Sequence, residues 1–169
     1  MHTPTVISQM QLNAQRIQAL VTGVSPEQAR WKPDPETWSI LEVLCHLLDE
    51  EREDFRVRLN LILFHSGADW PPIDPPGWVS ARGYNQRNLE ETLHSFLAER
   101  EKSLEWLRGL ADPDFNKSES GDLGTLSAGD MLASWAGHDL LHMRQLVELQ
   151  RAYIVNLTSP YDPAYGGDW

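Results

Sequence analysis

The sequence predicts an all-α protein, and the architecture that fits it best is a four-helix bundle. Four long segments place apolar residues at spacings of three, four and seven, as amphipathic helices do. No segment alternates apolar and polar residues over a useful length, so strands are not expected. Two of the segments begin with a Ser-x-x-acid capping pattern. We expect the bundle to occupy residues 1–155 and an irregular tail to occupy 156–169.

The first predicted helix begins close to the N-terminus. Thr3 is a candidate N-cap, and Pro4 follows at the first helical position, where proline is tolerated because the amide it lacks would have no partner there. Gly23 then stops the helix. A short helical turn is expected next, with Ser25 as its N-cap and Pro26 as its first residue.

The second long helix has the clearest start in the chain. Ser39 and Glu42 form a capping box, in which the hydroxyl and the carboxylate each satisfy a backbone amide near the helix start. We expect this helix to run without interruption from 40 to about 65. Residues 67–85 hold four prolines and three glycines, which cannot continue a helix. They predict a long connection that lets the second and third helices cross over.

The third predicted helix spans about 86–110, with its leucines and a phenylalanine on one stripe. A polar loop is expected over 111–126. Ser127 then caps the fourth helix, and Asp130 completes the second capping pattern three residues later. This last helix is predicted to run to about residue 153.

Composition and charge exclude several classes of partner. The chain carries 25 acidic and 14 basic side chains, a net charge of −11, which repels nucleic acid and anionic lipid. Its most apolar stretch, LNLILF, is far too short to span a bilayer. Neither a nucleic-acid nor a membrane partner is therefore expected. The N-terminus lacks the features of a signal peptide and Cys45 is the single cysteine, so we predict a cytoplasmic protein without disulfides.

Two histidines, His138 and His142, lie four residues apart within the segment GHDLLHMRQL of the fourth helix. Positions i and i+4 share a helix face, and here that face is the apolar one. Buried imidazoles need partners, because an unpaired buried polar group is unfavourable. A divalent ion bound to both would satisfy them, since His-x3-His is a common helical chelate. The alternative is that neighbouring side chains or water satisfy each histidine separately.

His46 is the best candidate for a third ligand, because catalytic sites of the zinc type use three protein ligands and leave one position open. Helical periodicity places it at the rim of the apolar face of the second helix, which suits either an open metal site or an ordinary surface histidine. Its neighbour Cys45 is expected to be buried and inert. The other histidines are expected to be solvated; they are His2, His65 and His94.

Two segments resemble the DinB-like superfamily of damage-inducible four-helix bundles. WSILEVLCHLLDEE is similar to the family's Trp-Ser-hydrophobic segment followed by His-Leu. HDLLHMRQL is similar to its last-helix signature, in which two histidines precede a basic residue and a glutamine. The resemblance, over about residues 8–153, implies that His46, His138 and His142 hold one divalent metal, commonly zinc or nickel. The family name refers to induction after damage, which implies a stress response and not DNA binding.

The resemblance also implies the kind of chemistry to expect. Related bundles include metal-dependent transferases and an isomerase that use low-molecular-weight thiols such as bacillithiol and mycothiol. The leading hypothesis is a metal-dependent enzyme, either a thiol-dependent S-transferase or a hydrolase, that acts on a small molecule. The alternative is a metal-stabilised structural or binding protein without turnover. Bundles with exposed apolar faces often pair, so a homodimer is compatible with the sequence.

Glu50 and Asp139 are candidates near this site either to support the metal ligands or to transfer protons. Glu50 lies one turn after His46 on roughly the same face, whereas Asp139 points about 100° away from His138. A solvated helix carboxylate is the commoner role for both. Three aromatic residues of the long connection are candidates either to cover the site or to cap the core; they are Trp70, Trp78 and Tyr84.

Overall fold

The computed structural model describes residues 2–121, 124–167 and 169. Apart from one short two-stranded hairpin, the described chain has no strands, which confirms the all-α class. Its elements in chain order are α1 (Thr3–Val21), α2 (Pro26–Arg30), α3 (Ile40–Glu53), α4 (Phe55–Phe64), α5 (Pro75–Ala81), α6 (Leu89–Gly109), β1 (Ser118–Gly121), β2 (Gly124–Ser127) and α7 (Ala128–Thr158). Within these residues no helix is long and apolar enough to cross a membrane.

The bundle is formed by α1, α6, α7 and the α3–α4 pair. α1 packs against α6 and α7, and the α3–α4 pair packs against those same two helices, so α1 and α3–α4 lie at opposite corners. The α3–α4 pair runs in the same direction as α6, since Glu51 contacts Arg100 and, further along both, Arg56 contacts Ser103. Neighbouring helices that run parallel need a long connection. The predicted crossover between the second and third long helices is therefore confirmed.

The apolar core has two halves stacked along the bundle. The first half surrounds Trp135 and joins the starts of α1 and α7 to α4 and to the end of α6. The second half surrounds Ile17 and joins the end of α1 and the later part of α7 to α3 and to the first half of α6. It follows that α1 and α7 run parallel to each other and antiparallel to α3–α4 and α6.

A layer of buried polar side chains lies between the two halves of the core. At its centre Arg100 is only 2% exposed, and its guanidinium donates to the two carboxylate oxygens of Asp139 at 2.7 Å each. It also donates to Glu51 at 2.8 Å and to the Met10 carbonyl at 3.2 Å. Trp135 Nε1 donates to the same oxygen of Glu51 at 2.9 Å. One buried cation therefore ties together α1, α3, α6 and α7.

Both predicted capping boxes are present. The Ser39 hydroxyl accepts from the Glu42 amide at 3.1 Å, and the Ser39 amide donates to the Glu42 carboxylate at 2.8 Å. The same reciprocal pair joins Ser127 and Asp130, at 3.0 and 3.1 Å. The predicted cap of α2, Ser25, is confirmed as well. These starts were predictable because a cap depends only on residues three positions apart.

The prediction of one uninterrupted helix over 40–65 is wrong, because the chain breaks at Asp54 into α3 and α4. Asp54 has φ −117° and ψ −88°, outside the helical range. The break is one residue long, and the next helix starts with Phe55, whose ring stacks on Trp135 at 5.9 Å between centroids. Apolar periodicity continues on both sides of the break, so the sequence pattern does not reveal it.

Other differences from the predictions are local. The connection over 67–85 contains α5 and a turn of 3-10 helix at Tyr84–Gln86, and the predicted loop over 111–126 contains the hairpin of β1 and β2. The hairpin strands are four residues each and polar, too short to show an alternating pattern. α7 continues to Thr158, beyond the predicted end near 153, and His2, not Thr3, is the N-cap of α1.

Candidate metal centre

Three histidines from two helices meet in the polar layer of the bundle. His46 comes from α3, and His138 and His142 come from successive turns of α7. Nε2 of His138 lies 3.2 Å from Nε2 of His46 and 3.0 Å from Nε2 of His142. One potential ligand atom from each ring falls within 4.8 Å of the other two. The structure thus brings together the three side chains that the sequence singled out.

His46 does not lie at a rim, as its periodicity predicted, but is only 5% exposed. The Trp38 ring packs against it, with 5.0 Å between ring centroids, and the two histidines of α7 cover its other side. Periodicity along α3 describes only one core-facing stripe, whereas this helix is buried on nearly all sides. Packing against α7 therefore explains why His46 is buried and not at the rim.

Aromatic rings pack against the cluster, and its three histidines differ in exposure. Phe55 packs against His138 with 5.0 Å between ring centroids, as Trp38 does against His46. His142 is 6% exposed, while His138 is half-buried. His138 is therefore the most exposed of the three histidines.

The environment keeps all three imidazoles neutral. Burial, and then the neighbouring imidazoles, lower the pKa of His46 to about 3. The pKa of His138 is lowered to about 3 by burial, by His142 and by the charge of Arg100. Burial also lowers the pKa of His142. Neutral imidazole is the form that binds a metal ion.

Hydrogen bonds alone do not give every ring nitrogen of the three histidines a partner. His142 Nδ1 lies 2.8 Å from the Gln145 side-chain oxygen, so we assign its proton to Nδ1 and a free lone pair to Nε2. Nε2 of His138 faces both other Nε2 atoms, and the one proton it can carry satisfies only one of them. A tetrahedral zinc ion with bonds of about 2.0–2.1 Å would separate its nitrogen ligands by about 3.3 Å. The two spacings of 3.0 and 3.2 Å that involve His138 are close to this value.

The two candidate carboxylates are both buried, so the expectation of solvated side chains is wrong for each. Glu50 lies beside His46, with 3.9 Å between Oε1 and Nδ1. Asp139 is instead held by Arg100 through both of its oxygens and also accepts from Asn13. Glu50 is therefore the candidate that faces the histidines, while Asp139 belongs to the central ion pair.

The three aromatic residues of the long connection pack on the scaffold. Trp70 and Trp78 lie over the guanidinium groups of Arg58 and Arg82, and Tyr84 is fully buried, with its hydroxyl donating to Asp49 at 2.6 Å. These contacts agree with the core-capping alternative. The aromatic rings that contact the histidine cluster come from elsewhere, as described above.

The remaining histidines and the cysteine lie where the sequence predicted. His2, His65 and His94 are exposed. Cys45 is fully buried, and burial raises the pKa of its thiol to about 11, which makes the thiolate scarce at neutral pH.

Sequence reasoning missed the residues that surround the three histidines. Gln145 had a usable pattern, since it lies three residues after His142 and so shares its side of the helix. Trp38 and Gln145 appear in the two segments that resemble the family, but the sequence assigned neither of them a role at the site. Phe55 and Arg100 lie within apolar periodic segments and had no distinguishing pattern.

The sequence and the fold each have known relatives. The family model of the DinB superfamily matches residues 9–146. The chain belongs to the DinB superfamily. No curated protein matches the sequence. Among solved structures, a similar one is that of YfiT from Bacillus subtilis, described as a probable metal-dependent hydrolase with an unusual four-helix bundle topology. The two chains are 17% identical, the match covers 88% of this chain and 86% of YfiT, and the TM-score is 0.78. This DinB-superfamily member therefore shares the YfiT fold.

Proposed function

We propose that this protein binds one divalent metal ion, zinc or nickel, through Nε2 of His46, His138 and His142, and that it is an enzyme acting on a small molecule. The observation that carries the proposal is a ligand set of three convergent neutral imidazoles. Among the residues that the structure describes, no fourth His, Cys, Asp or Glu joins the group. Structural zinc sites are closed by four protein ligands, whereas catalytic sites use three and leave a position for water or substrate.

Such an ion would lower the pKa of a coordinated water or thiol and would polarise an electrophilic substrate. The protein's own part is to hold the three rings in place and to limit the access of water. Trp38 and Phe55 pack against His46 and His138. Because His138 is the most exposed of the three histidines, we place the approach of a small substrate beside it.

Hydrolysis and thiol transfer are the two reaction types that this chemistry serves. The description of YfiT as a probable metal-dependent hydrolase supports the first. The resemblance to thiol-dependent transferases supports the second. In both, a nucleophile made acidic by the metal attacks an electrophilic centre of the substrate.

Metal analysis tests the binding half of the proposal. We expect the purified protein, or the protein reconstituted with Zn²⁺ or Ni²⁺, to hold about one ion per chain. His142→Ala removes one ligand. Loss of a residue that only hydrogen-bonds to a ligand lowers metal affinity by about 10–100-fold, so His142→Ala should lower it by more than that. His94→Ala changes an exposed histidine and is the matched control. A parent protein that binds no ion, or a His142→Ala variant that binds as tightly as the parent, would overturn the ligand assignment.

A substrate screen tests the catalytic half. The metal-loaded protein is assayed on aryl esters, amides and alkylating electrophiles, each with and without bacillithiol, mycothiol or glutathione. Turnover without a thiol identifies a hydrolase, and turnover only with a thiol identifies a transferase. Full metal occupancy with no turnover in any combination would overturn the enzyme assignment in favour of a metal-stabilised structural protein.

A further inference from the structure

We infer that Glu50 is a positioning residue of the metal site, whose carboxylate accepts a hydrogen bond from Nδ1 of His46 and orients that imidazole toward the ion. The inference rests on the proposed function. Glu50 lies four residues after His46, one turn along the same face of α3. Its Oε1 atom is 3.9 Å from His46 Nδ1, and both residues are about 5% exposed or less.

Neither of these two facing atoms has a hydrogen-bond partner in the described structure. His46 Nδ1 and Glu50 Oε1 are both buried and both unpaired. Buried polar atoms in folded proteins nearly always have a partner, so two adjacent exceptions need an explanation. Because the two side chains share one helix, a rotation of the glutamate alone can shorten 3.9 Å to a hydrogen bond of about 2.9 Å.

Metal binding by His46 would decide which of its nitrogens carries the proton. When the Nε2 lone pair points to the ion, the proton of the neutral ring must lie on Nδ1. That N–H is buried and requires an acceptor. Glu50 is the acceptor that the structure places beside it, just as the Gln145 oxygen lies 2.8 Å from Nδ1 of His142.

The charges along α3 also favour a cationic partner for Glu50. Four other carboxylates of this segment each pair with an arginine: Asp49 and Glu53 with Arg82, Glu51 with Arg100, and Asp54 with Arg58. Glu50 instead lies between His46, 3.9 Å away, and the carboxyl group of Asp54, which its own arginine neutralises. An imidazole that carries a metal ion is polarised toward positive charge, and a carboxylate hydrogen-bonded to it makes it a stronger ligand. The arrangement is that of a carboxylate–histidine–metal triad.

Metal affinity and metal-free stability together test this inference. Zn²⁺ affinity is measured by competition with a chromophoric chelator for the parent, Glu50→Ala, Glu50→Gln and Glu53→Gln. We expect Glu50→Ala to bind about 10–100-fold more weakly. The Zn²⁺ affinity of Glu50→Gln should lie between the affinities of Glu50→Ala and the parent, because an amide oxygen can accept the hydrogen bond but carries no charge. Glu53→Gln is the matched control, a glutamate of the same helix that pairs with Arg82, and should bind as the parent does.

Thermal unfolding of the metal-free proteins separates positioning from a structural role. Without metal, Glu50 Oε1 has no hydrogen-bond partner, and a glutamine at this position can keep the side-chain contact with the neighbouring Asp54, so Glu50→Gln should melt at or above the temperature of the parent. A lower melting temperature together with unchanged Zn²⁺ affinity would overturn the inference. So would equal Zn²⁺ affinity of Glu50→Ala and the parent, which leaves the proposed function intact. If the parent itself binds no metal, the proposed function fails first and this inference fails with it.

Discussion

At the scale of single residues, Arg100 is the side chain on which most buried polar contacts depend. A buried guanidinium is unfavourable unless its charge and its N–H groups are matched. Here Asp139 and Glu51 supply the charge, and the Met10 carbonyl accepts a further hydrogen bond. Asp139 directly follows His138 in α7, so the same ion pair holds the backbone that carries two of the three histidines. Arg100 is therefore a structural support of the site.

Replacement of Arg100 by methionine should be strongly destabilising. The change keeps the approximate volume but leaves Asp139 and Glu51 as buried carboxylates without a cation, which we expect to lower the free energy of unfolding by about 3–5 kcal/mol. Urea titration followed by circular dichroism measures this. Arg108→Met removes an exposed pair with Glu101 on the same helix and should change stability by less than about 1 kcal/mol. Equal effects of the two substitutions would contradict the assignment of Arg100.

At the scale of the elements, the start of α3 determines where His46 lies. The Ser39–Glu42 capping box begins the helix, and its place is fixed further by Asn85, whose side-chain oxygen accepts from the Ser39 hydroxyl at 2.7 Å. Ser39 thus joins α3 to the connection that crosses the bundle. The corresponding cap of α7, Ser127, contacts Asp130 within its own helix.

Removal of the Ser39 cap should therefore destabilise the protein more than removal of the Ser127 cap. Ser127→Ala should lower the free energy of unfolding by about 1 kcal/mol, as the loss of a serine cap usually does. Ser39→Ala should lower it by about 1–3 kcal/mol, since Ser39 is fully buried and its loss also leaves the Asn85 oxygen without its donor. Denaturant midpoints of the two variants provide the comparison. A smaller effect for Ser39→Ala than for Ser127→Ala would be the contrary result.

At the scale of the whole molecule, the bundle places its polar groups in one layer between two apolar halves. The histidines and the Arg100 ion pair share this layer. Neutral imidazoles in such a place make the stability of the metal-free protein sensitive to acid. Their protonation in the folded state is opposed by burial, whereas in the unfolded chain it is free.

We expect the metal-free protein to lose stability as the pH falls from about 6.5 toward 3. His46 and His138 have ordinary pKa values of 6.5 and folded values of about 3, so between these limits the unfolded chain binds more protons. Glu50 and Asp54 act in the opposite direction, because burial raises the pKa of each. The pKa of His142 is lowered as well, so three imidazoles outweigh two carboxyl groups between about 4.5 and 6, and the net slope there is positive.

Urea titrations at pH 6, 5.25 and 4.5 measure this slope. The double variant His46→Gln/His138→Gln should flatten it, because glutamine does not titrate. His94→Gln alters an exposed histidine and should leave the slope of the parent unchanged. If the free energy of unfolding of the parent is the same at all three pH values, the imidazoles are not held neutral in the folded protein.

Residue patterns alone predict the helical class, the two capping boxes, the crossover connection and the shared face of His138 and His142. All of these except the crossover follow from residues within a few positions of one another, where helix geometry and capping act. The choice of His46 as a third ligand came from ligand counting and family resemblance. The structure places it against His138, a residue 92 positions away.

Local patterns do not reveal how deep His46 lies, where the second helix breaks, or which partners the buried charged groups find, because all three depend on packing between helices. The break at Asp54 leaves apolar periodicity intact, and Arg100 occupies a position that the sequence marks as part of an apolar face. Burial of a charge depends on partners from other helices, which local periodicity does not encode. The same reason explains why Glu50 was expected in solvent and is found beside His46.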